Sequence, residues 1–172
     1  FQILGVKRNP SGQSNFPILA KDIFANDFSA WIVAENPNHI IYSATPGSSN
    51  SEDYRKIYVE GLKKITDIIE SQKLQTKVFF ISSTRVFNGN TNLEALDDHD
   101  EITPNDEQGR ILGQAECIAT KNDKGFVFRL TGIYGVDRTM MIRLAQDQQS
   151  WPENRFTNRI YDEDAAKIIV NI

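Results

Sequence analysis

Val78-Phe79-Phe80-Ile81-Ser82-Ser83-Thr84-Arg85-Val86-Phe87 is the stretch on which the fold turns. Its first four residues are β-branched or aromatic with no polar alternation, the pattern of a strand buried in a parallel sheet. The run then breaks into three small hydroxyl side chains. Ligands of an open parallel α/β sheet bind just outside the carboxyl ends of its strands, so hydroxyls at this break face a binding crevice. Two later stretches carry related signals. Arg129-Leu130-Thr131-Gly132-Ile133-Tyr134-Gly135 is again an apolar strand running into a small-residue turn. Asn158-Arg159-Ile160-Tyr161-Asp162-Glu163-Asp164-Ala165-Ala166 leads into a closing helix.

Outward from these motifs, strand-like and helix-like segments alternate, which implies a parallel α/β sheet rather than a bundle or sandwich. Strands are expected at Phe1–Val6, Phe16–Ala20, His39–Ser43, Val78–Ile81 and Phe126–Leu130. Ser51 is a good helix N-cap, with Glu52 and Asp53 placed against the positive end of the dipole. Tyr54, Ile57, Tyr58, Gly61, Leu62, Ile65, Ile68 and Ile69 then recur at spacings of three and four, a wide apolar stripe laid against a sheet. Ile111, Leu112, Ala115, Ile118 and Ala119 mark another amphipathic helix. The last helix starts near Asp162 and is expected to bury Ala165, Ile168, Ile169 and Ile172. Residues 88–106 are polar, acidic and long for a βα connection; with 136–161 they are expected to form substrate-side elements. Within the latter, Gln146–Phe156 is read as a loop that lines or covers the crevice. One domain over residues 1–172 accommodates all of this.

A chain of 172 residues is long enough to bury a sizeable core, and 40% apolar with 24% charged residues is ordinary for a globular protein. The net charge of −4 and the scattered basic residues argue against nucleic acid or an anionic membrane as partner. No apolar run approaches the roughly 20 residues of a membrane span. No signal peptide is evident, and the single Cys117 fits a reducing, cytoplasmic compartment.

The three motifs, in this order, resemble the extended and atypical short-chain dehydrogenase/reductases, specifically NAD(P)-dependent nucleotide-sugar epimerases and dehydratases. The resemblance covers nearly the whole chain. It implies an α/β fold, a Rossmann-like doubly wound parallel sheet, a nicotinamide cofactor and a small-molecule substrate such as a nucleotide sugar. It also implies that Ser83, four residues before the position that Phe87 takes from the family's tyrosine, hydrogen-bonds the reacting oxygen of the substrate. A hydroxyl at a strand end can do this. It can equally satisfy loop backbone groups, together with Ser82 and Thr84.

Set beside the resemblance are two absences. The family's Tyr-Gly-x-Ser-Lys-x-x-Ala-Glu aligns with Gln108-Gly109-Arg110-Ile111-Leu112-Gly113-Gln114-Ala115-Glu116. The tyrosine that serves as general acid/base is thus Gln108, and the lysine that lowers its pKa and holds the ribose is Leu112. Neither can exchange a proton near neutral pH. Arg110 stays charged and can bind an anion but not act as a base, and Glu116 is read as a solvated or helix-supporting residue. The second absence is the glycine-rich phosphate cradle, Gly-x-x-Gly-x-x-Gly, which occurs nowhere in the chain. The chain opens on what resembles the family's second strand, so the resemblance implies that the first strand and helix are lacking and that the chain is part of a longer protein.

The rest of an implied cofactor site comprises Lys7 and Arg8, which suit the 2′-phosphate of NADP and favour it over NAD. Asp22 and Ile23 resemble the acid–apolar pair near the adenine, and Ser43, Ala44 and Thr45 the segment beneath the cofactor. Thr84, Tyr134 and Arg159 are substrate-side candidates, Arg159 able to engage a diphosphate or to form a structural corner with Asp162 or Asp164. No metal is expected: His39 and His99 lack zinc-ligand spacing, and Asp97, Asp98, Asp100 and Glu101 read as a solvated acidic loop. Cys117 reads as a packing residue within its helix. Whether the protein is an enzyme is left open between two readings. One is an epimerase/dehydratase-type protein whose reaction has changed; the other is a non-catalytic nucleotide sensor or scaffold on the same fold. A homodimer is one candidate assembly.

Overall fold

The computed structural model describes residues 2–91, 95–147 and 158–171. Strands β3 (His39–Tyr42), β4 (Lys77–Ser83) and β5 (Gly125–Leu130) form a parallel sheet in the order β3-β4-β5. Two further parallel pairs flank it in sequence: β1 (Gly5–Lys7) with β2 (Ile18–Ala20), and β6 (Gly132–Tyr134) with β7 (Arg159–Tyr161). All strand pairing among the described residues is parallel. This is the parallel α/β architecture that the alternation implied, of the Rossmann-like kind that the resemblance implied.

Among the described residues three helices, the second a composite rod, interleave with the strands up to β5. α1 (Phe28–Glu35) was not anticipated; Phe28 and Ile32 are its buried contacts, while apolar Val33 on the far side blurs the periodicity that would reveal it. The next helix is one continuous rod: α2 (Ser51–Tyr54), a π-helical segment Arg55–Gly61, and α3 (Leu62–Ser71). Asn50, not Ser51, caps it, its side chain accepting the Asp53 amide at 2.7 Å. The Tyr42 hydroxyl donates to the Ile57 carbonyl inside the widened segment at 2.6 Å. A Cβ on Gly61 would collide with that hydroxyl, so glycine is what lets the rod approach the sheet. α4 (Glu107–Ala119) follows the long loop, and α5 (Met140–Asp147) and α6 (Asp162–Val170) lie further on.

The core sits between these helices and one face of the main sheet. Phe28 and Ile32 of α1, Leu62, Ile65, Ile68 and Ile69 of α3, and Leu112, Ala115 and Ala119 of α4 meet Tyr42, Val78 and Phe80. On the sheet's other face Phe79 stacks on Phe126 and Phe128, with centroids 5.1 and 6.0 Å apart. The apolar stripe read at Gly61, Leu62, Ile65, Ile68 and Ile69 is buried as expected.

Several expectations need correction. The opening strand is Gly5–Lys7 and the second Ile18–Ala20, both shorter than expected, because only these residues are in pairing register. α5 takes in Gln146 and Asp147 where a loop was read; 148–157 lie outside the described residues. In α6 only Ala165 is buried, and Ile168 faces solvent; Ile172 is not among the described residues. Cys117 is exposed, since it falls on the outer side of α4. Glu116 is buried rather than solvated, for the reason given next.

Candidate functional site

The strand run from Lys77 carries through Ser82 and Ser83, so the hydroxyls stand at the carboxyl end of the central strand. Alternation then sends them to opposite faces. Ser82 is buried on the helix-covered face, where its hydroxyl donates to Glu116 Oε1 at 2.5 Å. Arg129, across from Ser82 on β5, donates to both oxygens of the same carboxylate at 2.9–3.3 Å. Burial of this carboxylate is tolerable because it is paired and fully hydrogen-bonded. The Arg129 guanidinium also lies 4.9 Å from the Phe87 ring centroid and donates to the Asp98 carbonyl, tying the acidic loop to the strand ends.

Ser83 ends the strand as the cap of a single 3₁₀ turn, Thr84–Phe87, its oxygen accepting the Arg85 amide at 3.2 Å. The turn presents Arg85 and Asn88 to Asp106. Arg85 donates to Asp106 at 2.9–3.2 Å, and Asn88 at 2.6 Å. Asp106 also caps α4, accepting the Gly109 amide at 2.7 Å. The Arg85 guanidinium holds the Asp106 carboxyl below the usual carboxylate range, and Asp106 in turn raises Arg85. Gly109 permits this join: a Cβ there would press on Pro104 and the Arg85 carbonyl. The 88–106 connection is pinned too, through Gly89 N–H to Thr103 O at 2.7 Å and Thr103 N–H to Val86 O at 2.9 Å. Sequence reasoning missed Asp106 and Asn88 as organisers. The available signal was an Asp just before the apolar run of α4.

The two positions where the resemblance places Tyr and Lys do different work here. Gln108 donates through Nε2 to the Ser49 carbonyl at 2.8 Å, joining α4 to the segment after β3. Leu112 is buried in the core cluster. Arg110 pairs with Glu107, and Arg55 reaches both Glu107 and Gln114. Among the described residues no His/Cys/Asp/Glu group is arranged to hold a metal.

On the expected cofactor side, Lys7 and Arg8 lie exposed at the carboxyl end of β1 and make no ion pair among the described residues. Asp22 accepts the Phe24 amide at 2.9 Å, forming a turn, and Ile23 packs against the core edge. Ser43, Ala44 and Thr45 form an exposed segment directly after β3. On the other side, Tyr134 is exposed and its ring meets Tyr161 at 5.5 Å. Arg159 lies against Gly132, where an added Cβ would sit 2.7 Å from its Nη1. Asp162 pairs with Arg138 at 3.7 Å and crowds Gly135.

Neither a protein-family model nor a curated protein matches the chain. Solved structures do. A protein from Methylobacillus flagellatus assigned as an NAD-dependent epimerase/dehydratase matches with a TM-score of 0.79 and 30% identity, over 98% of this chain and 59% of that one. Bordetella bronchiseptica WbmG, solved with NAD and UDP, matches with a TM-score of 0.76 and 12% identity over 98% of this chain and 59% of its own. A dTDP-4-dehydrorhamnose reductase from Clostridium acetobutylicum gives a TM-score of 0.73 and 19% identity, with 98% and 68% covered. The chain therefore spans 59% of the length of the first two. These neighbours are of the kind that the motif resemblance implied. No helix among the described residues is long and apolar enough to cross a membrane.

Proposed function

We propose that the protein binds a nicotinamide dinucleotide and a nucleotide sugar, and is of the epimerase/dehydratase type with an altered proton-transfer apparatus. The observation that carries this reading is Ser83 at the carboxyl end of the central strand, where an open α/β sheet receives its ligand. The 30%-identical neighbour and the complex of WbmG with NAD and UDP support the ligand class. The described residues fit such a cofactor in part. Lys7 and Arg8 would meet its adenosine end and favour NADP; Ser43, Ala44 and Thr45 would lie beneath it. β1 runs into a loop toward β2 with no helix between them, so these residues offer no helix N-terminus for the pyrophosphate. Bound, the cofactor would supply hydride exchange; the chain's own residues would bind and orient.

A second reading, a nucleotide sensor or scaffold without turnover, draws on a specific observation. Gln108 is engaged with a backbone carbonyl and Leu112 with the core, so neither position offers an acid. Loss of general acid/base help costs about 10²–10⁴-fold in rate. The deciding experiment combines calorimetric titration with NAD, NADP and UDP-glucose and chromatographic product analysis, with cofactor present, over a panel of nucleotide sugars. Binding with negligible turnover that rises in Gln108→Tyr, the one of the two positions outside the core, supports the altered-enzyme reading. Binding with no turnover in either protein supports the sensor, and absence of any binding refutes both.

A further inference from the structure

We infer that the hydroxyl of Thr131 is a ligand-binding group of the crevice, donating to or accepting from an oxygen or nitrogen of the bound dinucleotide or nucleotide sugar. The inference rests on the functional reading above and adds a residue to that site. Thr131 Oγ1 is buried and has no hydrogen-bond partner, the one such side-chain atom among the described residues. Buried polar atoms are nearly always paired, and leaving one unpaired is costly. A packing role alone would be met by valine, which has the same shape and no hydroxyl to desolvate.

Its position supplies the function. Leu130 pairs with Ser83 at the last step of the β4–β5 ladder, so Thr131 stands one residue beyond that strand end. The next residue, Gly132, already belongs to β6, which pairs with β7 and not with the main sheet. The chain thus changes sheet at Thr131, between the strand end that carries Ser83 and the strand pair that carries Tyr134 and Arg159. The residue as a whole is only half-buried. On its branched β-carbon, a rotation of about 120° about χ1 carries the hydroxyl to another staggered position. A ligand seated at the strand ends would give the hydroxyl the partner it lacks in the free protein.

The test compares the full chain with Thr131→Val and Thr131→Ser by thermal melting without ligand and by calorimetric titration with NAD, NADP and UDP-glucose. Thr131→Val is expected to melt at the wild-type temperature or higher while binding at least one ligand about 3–10-fold more weakly, the range for one hydrogen bond. Thr131→Ser should restore affinity. Loss confined to the dinucleotides places the hydroxyl on the cofactor, and loss confined to UDP-glucose places it on the sugar nucleotide. Wild-type binding that survives Thr131→Val unchanged for every ligand overturns the inference but leaves the functional reading standing. So does a destabilised or unfolded Thr131→Val protein, which would mean a structural bond. A wild-type protein that binds none of the three overturns both.

Discussion

The β3-β4-β5 sheet and the β1–β2 pair are both parallel and both carry apolar side chains, yet only the first has a face buried in the core. Phe80 is fully buried and Val78 3% exposed, whereas Val6 is 43% and Leu19 37% exposed. Local pattern is not the whole difference, since Ile18-Leu19-Ala20 is as apolar as the buried Val78-Phe79-Phe80. The difference is cover: the helix faces of α1, α3 and α4 meet Tyr42, Val78 and Phe80, while β1 and β2 contribute nothing to the core cluster. Apolar strands gain stability from what packs on them, in proportion to the area removed from water.

The strongest test of that contrast is Phe80→Ala, which empties a site with no solvent access and should cost about 3–5 kcal/mol in denaturant unfolding. A loss below 1 kcal/mol would mean that the helices do not cover this face in solution. Next in size is Arg129→Met, which leaves the Glu116 carboxylate buried without its cation; a loss of about 3 kcal/mol is expected. Glu116→Gln together with Arg129→Met should recover much of it, and a double mutant no better than the single would break the pairing argument.

Asp106→Ala should remove the α4 cap and cost about 1 kcal/mol. Asp106→Asn keeps capping capacity but not charge, and so isolates the Arg85 pair. Because the folded-state pKa of Asp106 is lowered, its stabilisation is present above the unfolded carboxylate pKa and is lost as pH falls through the folded value. Melting curves of wild type and Asp106→Asn should therefore differ at pH 7 and converge in the acid range; a gap that widens on acidification would contradict the assignment. The smallest effect is expected on the uncovered pair. Leu19→Ser should change stability by no more than about 0.5 kcal/mol, the scale of surface substitutions. A large loss there would show that β1 and β2 are covered after all.

The cofactor expectation is tested in the same region. If a dinucleotide binds, Lys7→Ala with Arg8→Ala should weaken NADP by on the order of 1.5–3 kcal/mol per lost phosphate contact and leave NAD nearly unchanged in calorimetric titration. Equal losses for both cofactors would exclude a phosphate-specific role.

By itself the sequence determined the parallel α/β class, a buried strand over Val78–Ile81 that runs into hydroxyl side chains, and the inward faces of the rod ending at Ser71 and of α4. Each follows from short-range periodicity, which every residue reports locally. It also determined that positions 108 and 112 carry Gln and Leu, side chains with no proton to exchange near neutral pH. Only the tertiary structure decided that Glu116 is a buried partner of Ser82 and Arg129 rather than a solvated charge, because that depends on side chains far apart in sequence meeting across β4, β5 and α4. It likewise decided that Asp106 joins a strand-end turn to a helix start, that Cys117 faces outward, and that the Thr131 hydroxyl is left without a partner. Periodicity tells which side of an element is apolar; which polar group is buried, and against what, is settled only by the packing of elements distant in the chain.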